Sequence, residues 1–416
     1  MISAPLPSPL TAPRVRLAYL VSHPIQYQAP LLRRIAQQPD IDLTVFFGSD
    51  FSVRSYKDEG FGVELAWDTP LTEGYKHVFL KPLRDTGTVS STSPISRGIY
   101  RNLRGPDNLP AFDALWVHGY ASVNALQGIL AANALGIPVL LRAESWLRDR
   151  ERSTLKLAAK HLFFKILSRM ISATLPIGTF NSVYWQHYFG PNVPQFLMPY
   201  AVDNAYFARK AAEAIPHEAD LRASLHLEPN RPVILFASKL QERKNCIHLV
   251  EAYAQFLRSK PSPAPYLVIV GDGEERARLE AFCSASALTD VRFAGFQNQS
   301  VLPRFFQLAD VFVLPSRHEP WGLIVNEAMA AGCPSIVSED VGSHPDLIVN
   351  GENGLVFPTG NVPALTAALA NIFATPDTAA AMGQRATQRM NTWSFDQDIA
   401  GLRAALAHIT RKLSFH

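Results

Sequence analysis

The sequence predicts an α/β protein made of two doubly wound parallel-sheet domains, and three observations carry that prediction. The chain has 416 residues, more than one compact core takes and enough for two of about 200 each. Short apolar runs rich in Val, Ile, Leu and Phe recur along it, separated by helix-length segments. Polar residues gather just past the ends of those runs. Near-continuous apolar strands alternating with helices are what parallel sheets covered on both faces require.

In the first half the runs are VRLAYLVS (15–22), LTVFF (43–47), ALWVHG (114–119), PVLLRAE (138–144), ATLPIG (173–178) and QFLMPY (195–200). In the second half they are PVILFAS (232–238), YLVIVGD (266–272), VRFAGF (291–296), VFVLPS (311–316), PSIVSE (334–339) and GLVF (354–357). The seam falls between Tyr200 and Pro232, so residues 14–200 form the first domain and 201–390 the second. Residues 1–13 hold four prolines and no basic start before an apolar block; they read as a flexible tail and not a signal peptide.

The composition, 47% hydrophobic and 18% charged, is that of a soluble globular protein. No apolar run reaches the ~18 residues of a membrane-spanning helix. Cys246, Cys283 and Cys333 are widely spaced and odd in number, which fits neither a disulfide framework nor a zinc site and points to a reducing cytoplasm.

The net charge of +3 is unevenly shared: residues 1–200 carry 20 basic against 14 acidic side chains, the remainder 19 against 22. The stretch RDRERSTLKLAAKHLFFKILSR (148–169) has seven basic and two acidic residues, with Leu155, Leu157, Leu162, Phe163, Phe164, Ile166 and Leu167 interspersed. It is either a solvated helix packed on the core or a basic amphipathic face for anionic lipid at the inner side of a membrane. Nucleic acid is excluded as a partner: no binding motif is present and the basic excess is slight.

In doubly wound sheets ligands sit beyond the carboxyl ends of the strands. There the sequence places His23, His118, Arg142 and Glu144 in the first half, and Lys239, Gly271 and the stretch SRHEPWGLIVNEAMAAGCP (316–334) in the second. The two polar rims predict an inter-domain cleft. The loop after Val21 is SHPIQYQAP, without the G-x-G-x-x-G of a dinucleotide fold, and there is no P-loop. Two Asp-x-Asp pairs, Asp40/Asp42 and Asp396/Asp398, read as turn and helix-start charges, leaving no predicted metal site.

Lys239 and Lys244, beside a helix start, form a diphosphate cradle or are two solvated lysines. Gly322 begins a helix that ends at Gly332. Its first backbone N–H groups are unpaired and suit an oxyanion or a sugar hydroxyl. Glu319 precedes that helix and Glu327 lies one and a half turns inside it, so the two carboxylates reach different parts of one ligand. A buried carboxylate can accept two hydroxyl hydrogen bonds, each worth about 1.5–3 kcal/mol.

The ordered set Ser238-Lys239-Leu240, Lys244-Asn245, Gly271-Asp272-Gly273, Phe293-Ala294-Gly295-Phe296 and Ser316-x-x-Glu319-Pro320-Trp321-Gly322-Leu323 through Glu327-Ala328-Met329-Ala330 to Pro334 resembles the retaining glycosyltransferases of family 4. The likeness is strong over 230–375 and its most specific element is Glu-x7-Glu. It implies the GT-B fold: two facing Rossmann-like domains with a cleft between them, and a last helix (391–416) crossing back to the first domain. It implies metal-independent transfer of a sugar from a nucleotide-diphosphate sugar to a glycan or lipid-linked acceptor, in surface polysaccharide or glycoconjugate synthesis, with no further cofactor.

By the same resemblance Glu327 holds the ribose. Lys239, Lys244 and the amides of Gly322 and Leu323 hold the diphosphate. Phe296 and Gly271 flank the base, with Trp321 counted in the donor site. Glu319 and His118 stand at the reacting sugar. The first domain takes the acceptor, with His23, Gln26, Tyr27, Arg142 and Glu144 as candidates. Three positions depart from the family pattern: Lys239 replaces a customary arginine and so lacks its bidentate fork, His23-Pro24-Ile25-Gln26 replaces a glycine pair, and Gly342-Ser343-His344-Pro345-Asp346 replaces Gly-Gly and a glutamate.

Residues 48–110, with Phe61, Trp67 and Tyr75, either line an acceptor channel or form a surface excursion. Two other functions use similar parts: a GT-B sugar-nucleotide epimerase, and a non-catalytic subunit that binds a nucleotide sugar.

Overall fold

In a computed structural model, residues 14–53, 56–57, 64–65, 67–148 and 153–413 are described. The expected N-terminal tail (1–13), Phe61 and residues 149–152 of the basic stretch lie outside them. Twelve strands form two six-stranded sheets. In the first are β1 (Val15–Val21), β2 (Ile41–Phe47), β3 (Lys76–Phe79), β4 (Ala114–His118), β5 (Val139–Arg142) and β6 (Ala173–Thr174). In the second are β7 (Val233–Ala237), β8 (Tyr266–Val270), β9 (Val291–Gly295), β10 (Val311–Leu314), β11 (Ser335–Ser338) and β12 (Gly354–Phe357).

The spatial orders are β6-β5-β4-β1-β2-β3 and β9-β8-β7-β10-β11-β12. Every neighbouring pair is parallel. Both sheets therefore share one doubly wound order, with a switch point between β1 and β4 in the first and between β7 and β10 in the second. Alternate residues of each central strand face opposite covered layers. Leu17, Tyr19 and Val21 enter one core cluster while Ala18 and Leu20 enter another. Val233, Leu235 and Ala237 part in the same way from Ile234 and Phe236. Burial on both faces is why these strands read as unbroken apolar runs.

Ten of the twelve apolar runs become strands across most of their length, and ATLPIG keeps only Ala173–Thr174. QFLMPY differs. It runs beside residues 174–177 with Phe196, Met198 and Tyr200 donating to Thr174, Pro176 and Ile177, but Pro176, Pro194 and Pro199 lack the N–H groups a full ladder needs. In its place the first sheet takes β3 at its edge, a strand within the 48–110 segment whose exposed Lys76 and His77 hid it among polar residues.

The chain passes between the lobes twice, near Tyr200 and near Trp393. Trp393 donates to the Tyr200 carbonyl at 2.7 Å and stacks on Trp321 with centroids 5.7 Å apart. The last helix, Phe395–Leu413, places Ile399, Leu402, Leu406 and Ile409 in the same cluster as Leu17 and Tyr19 of β1. At Gly401 a Cβ would meet the Leu197 carbonyl oxygen at 1.8 Å, so glycine permits this close approach. Across the lobes, Asp346 accepts from the amide (2.8 Å) and hydroxyl (2.7 Å) of Thr179, the first residue of helix Thr179–Phe189.

Candidate active site

Each sheet brings its candidate residues to its own switch point, because the strands on either side of it diverge there and leave a crevice. In the first domain the crevice lies between the loop after β1 and the end of β4. His118 ends β4, with Gln28 3.2 Å from its Nε2 and the Glu144 carboxylate at 3.8 Å. Burial, reinforced by Arg142 and His23, lowers the His118 pKa to about 3, so the imidazole is neutral at neutral pH. Gln28 accepts from the Tyr19 hydroxyl at 2.6 Å. Glu144 accepts from Tyr27 (2.7 Å) and Tyr200 (2.5 Å), whose phenols are pushed up by burial and then by that carboxylate. His23 stacks on Phe51 at 4.5 Å and burial lowers its pKa to about 4. Gln26 is half-buried in the same loop.

Arg142 was expected on the acceptor side, and the structure corrects that. Its side chain is 1% exposed, forms an ion pair with Asp398 of the last helix at 3.1 Å, donates to the Met198 carbonyl at 2.7 Å and lies over the Tyr200 ring. It ties the last helix to β5.

In the second domain the crevice lies between β7 and β10. Lys239 follows β7 and Glu319 follows β10. Lys244, in a one-turn helix (Glu242–Lys244), is ion-paired to Glu319, and Arg243 stands 3.6 Å from the same carboxylate. Burial lowers the Lys244 pKa; Glu319 opposes this, and the charges of Arg243 and Lys239 add to it. Lys244 and Arg243 thus converge on one carboxylate with Lys239 close enough to act on Lys244, and Arg243 is a member of the cluster that no motif in the sequence singles out.

The loop carrying Glu319 is pinned from below. Gly342 and Ser343 donate to the carbonyls of Glu319 and Trp321 at 2.8 and 3.0 Å, and a Cβ on Gly342 would sit 2.0 Å from the Pro320 oxygen. Gly322 (φ 86°) then turns the chain left-handed into helix Leu323–Ala330, where its missing Cβ matters. Leu323 is the first residue of that helix, so its amide belongs to the unpaired set. Trp321, expected at the donor, instead turns its side chain into the core. It is 3% exposed, donates to Asn326 at 2.9 Å and stacks on Trp393.

Glu327 points into a dry setting. Burial raises its pKa to about 8, and Gln299 reaches its Oε1 at 3.5 Å. Glu319 and Glu327 therefore have different partners and do not share a proton. Gly271 (φ 132°) lies where β7 and β9 end: it donates to Gly295 at 2.8 Å, and a Cβ there would meet the Ser238 carbonyl oxygen at 1.9 Å. Phe296, half-buried, follows Gly295. Gln299, in a loop with no periodic signal, could not have been singled out from sequence.

A cleft of about 790 Å³ adjoins this region through Tyr27, Tyr206 and Gln299 and continues past Arg33, Arg34 and Asp396 on the hinge side. Its volume lies beside the cations at the strand ends and not over them, so the site is placed by its chemistry and not by that cavity. All four Asp-x-Asp carboxylates face cations: Asp40 pairs with Arg403 and Asp42 with Lys76, both at 2.7 Å, Asp396 with Arg34 at 3.6 Å, and Asp398 with Arg142. The three cysteines are free and buried, and among the described residues no helix is long and apolar enough to cross a membrane.

Two parallel sheets of one doubly wound order, each presenting polar groups at its switch point, define the GT-B class of α/β proteins. Residues 218–389 match the family described as glycosyl transferases group 1. Similar proteins include alpha-D-kanosaminyltransferase of Streptomyces kanamyceticus, 30% identical over 42% of this chain and 45% of that protein. The lipopolysaccharide core biosynthesis glycosyltransferase LpsE of Rhizobium meliloti is 34% identical over 37% of this chain and 43% of that one. The chain thus spans less than half the length of either relative. Solved structures share the whole architecture. Sucrose-phosphate synthase from Thermosynechococcus elongatus has a TM-score of 0.66 at 20% identity, covering 96% of this chain and 99% of that one. HepE from Anabaena, solved with UDP and glucose, has 0.66 at 16%, covering 96% and 100%.

Proposed function

We propose that the chain is a retaining, metal-independent glycosyltransferase of the family 4 type, moving a sugar from a nucleotide-diphosphate donor to a glycan or lipid-linked acceptor. The observation that carries this reading is the cluster of Lys244, Arg243 and Glu319 at the β7/β10 switch point, beside the left-handed Gly322 that opens the helix bearing Glu327. Relatives of the second domain bear glycosyltransferase names, which agrees with it.

In this reading the diphosphate lies against Lys239, Lys244 and the first amides of helix Leu323–Ala330. The bond between the sugar carbon and the diphosphate oxygen breaks, and negative charge grows on that oxygen. Fixed cations and oriented N–H groups stabilise such charge without a metal. Positive charge grows on the sugar carbon, and Glu319 stands by to stabilise it, as carboxylates do at oxocarbenium-like states. The acceptor hydroxyl attacks from the face the leaving group vacates, which retains configuration, and its proton passes to the departing phosphate oxygen. Glu327 holds the ribose hydroxyls. His118, neutral because it is buried, can donate one hydrogen bond to the donor sugar and accept another without adding charge.

The decisive experiment incubates a nucleotide sugar with candidate acceptors in the presence of a chelator, with products followed by NMR. Free nucleoside diphosphate released in step with an acceptor glycosylated in the donor's anomeric configuration supports the proposal. An inverted product overturns the retaining assignment. Interconversion of the donor sugar without transfer identifies an epimerase, and binding with no reaction a non-catalytic subunit.

A further inference from the structure

We propose that helix Thr154–Leu167 docks the protein on an anionic lipid bilayer through an apolar stripe that the fold leaves bare. The helix touches its own domain along one side only, where Phe164 and Leu167 are buried. On the far side Leu155, Leu162 and Ile166 are 79%, 61% and 51% exposed, and Ala159 is exposed between them. Positions 155, 159, 162 and 166 follow the spacing of one helical face, so these side chains form a single stripe. Half a turn separates it from Phe164. The expectation of a helix packed on the core is met by Phe164 and Leu167 and not by the stripe.

The charge around the stripe selects its occupant. Lys156 and Lys165 flank it on either side and are exposed, and Arg169 follows in the next turn. The surrounding sequence, 148–169, carries seven basic residues against two acidic ones. Lys160 is not part of this set: its ammonium lies 4.8 and 4.5 Å from the Tyr184 and Tyr188 ring centroids. Large apolar side chains between cations match a bilayer interface, where the apolar groups enter the acyl boundary and the lysines meet anionic headgroups.

The segment before the helix reaches the second domain. It follows β5 and contains Glu144 and Arg148, and the Arg148 carbonyl lies 3.2 Å from His318 Nδ1, next to Glu319.

Flotation of the full chain with vesicles tests this. Vesicles of phosphatidylcholine alone and of phosphatidylcholine with phosphatidylglycerol are compared, using wild type, Leu162→Glu/Ile166→Glu and Lys156→Glu/Lys165→Glu. Wild type is expected to float with the anionic vesicles only, and each basic side chain lost should lower affinity about fivefold. The apolar pair should lose binding even with both lysines intact. All four residues are surface-exposed, so unchanged melting and nucleotide binding verify that each variant is folded, and a failure here leaves the donor-site reading untouched. Wild type that ignores anionic vesicles overturns the proposal, as do variants that float like wild type. Self-association that Leu162→Glu/Ile166→Glu abolishes, with no vesicle binding, also overturns it and makes a second copy the partner.

Discussion

The ammonium of Lys244 is ion-paired to the carboxylate of Glu319 where each side chain is no more than about one-eighth exposed, and the two residues are 75 positions apart in sequence. The pair joins the ends of β7 and β10, which makes it both a stability element and the centre of the candidate donor site.

Removing one partner of a buried pair leaves the other charge without compensation, at a cost of about 3 kcal/mol. Glu319→Ala is therefore expected to lower the urea midpoint clearly and Glu319→Gln less, since the amide still accepts a hydrogen bond. Nucleoside diphosphate should restore part of the loss by giving Lys244 a new anion. Turnover should fall more than donor affinity does. A fully active Glu319→Ala protein contradicts the placement of Glu319 at the reacting sugar.

Glu327 gives a pH signature of known sign. Its carboxyl is raised from 4.5 to about 8 by burial, so between those values the folded state holds a proton that the unfolded chain has released. Stability contributed by the protonated form is present below about pH 4.5 and is lost as pH rises through 8. Glu327→Gln imitates the protonated form. Its stability relative to wild type should grow from pH 5 to pH 8, as read from urea unfolding at both. A constant difference across that range contradicts the buried, proton-holding Glu327.

Arg142 and Asp398 form a second buried pair, between β5 and the last helix. Arg142→Met should destabilise by about 3 kcal/mol and expose residues 391–413 to limited proteolysis, because Asp398 is left alone. Resistance equal to wild type shows that the last helix is held without this contact.

Asp346 accepts from the first amide of a helix in the opposite lobe, in the manner of an N-cap supplied from outside. Asp346→Ala should cost about 1 kcal/mol and loosen the lobes, seen as a larger radius of gyration in X-ray scattering. An unchanged radius means that the stacked Trp321 and Trp393 hold the lobes together without it.

The sheets were legible because burial on both faces writes β1, β4, β7, β8 and β10 as unbroken apolar runs. The edge strand β3 was not, since three of its four residues are exposed, and Pro176, Pro194 and Pro199 withdrew the strand that the composition of QFLMPY promised. The positions of Lys239, Lys244, Glu319 and Glu327 at strand ends and helix starts were legible because such ends announce themselves locally. Arg142 and Trp321 were misplaced for one reason: their partners Asp398 and Trp393 come from the far end of the chain, and nothing local announces them. Gln299 meets Glu327 only through the fold.

Whether a nucleoside diphosphate is held at Lys239, Lys244 and Glu327 without a metal can be read by calorimetry. A panel of nucleotide sugars is titrated into wild type and Glu327→Ala in the presence of a chelator. A donor is expected to bind wild type under these conditions and to bind Glu327→Ala about 1.5–3 kcal/mol more weakly. A donor that binds both alike, or that binds only once magnesium is added, contradicts the metal-free site.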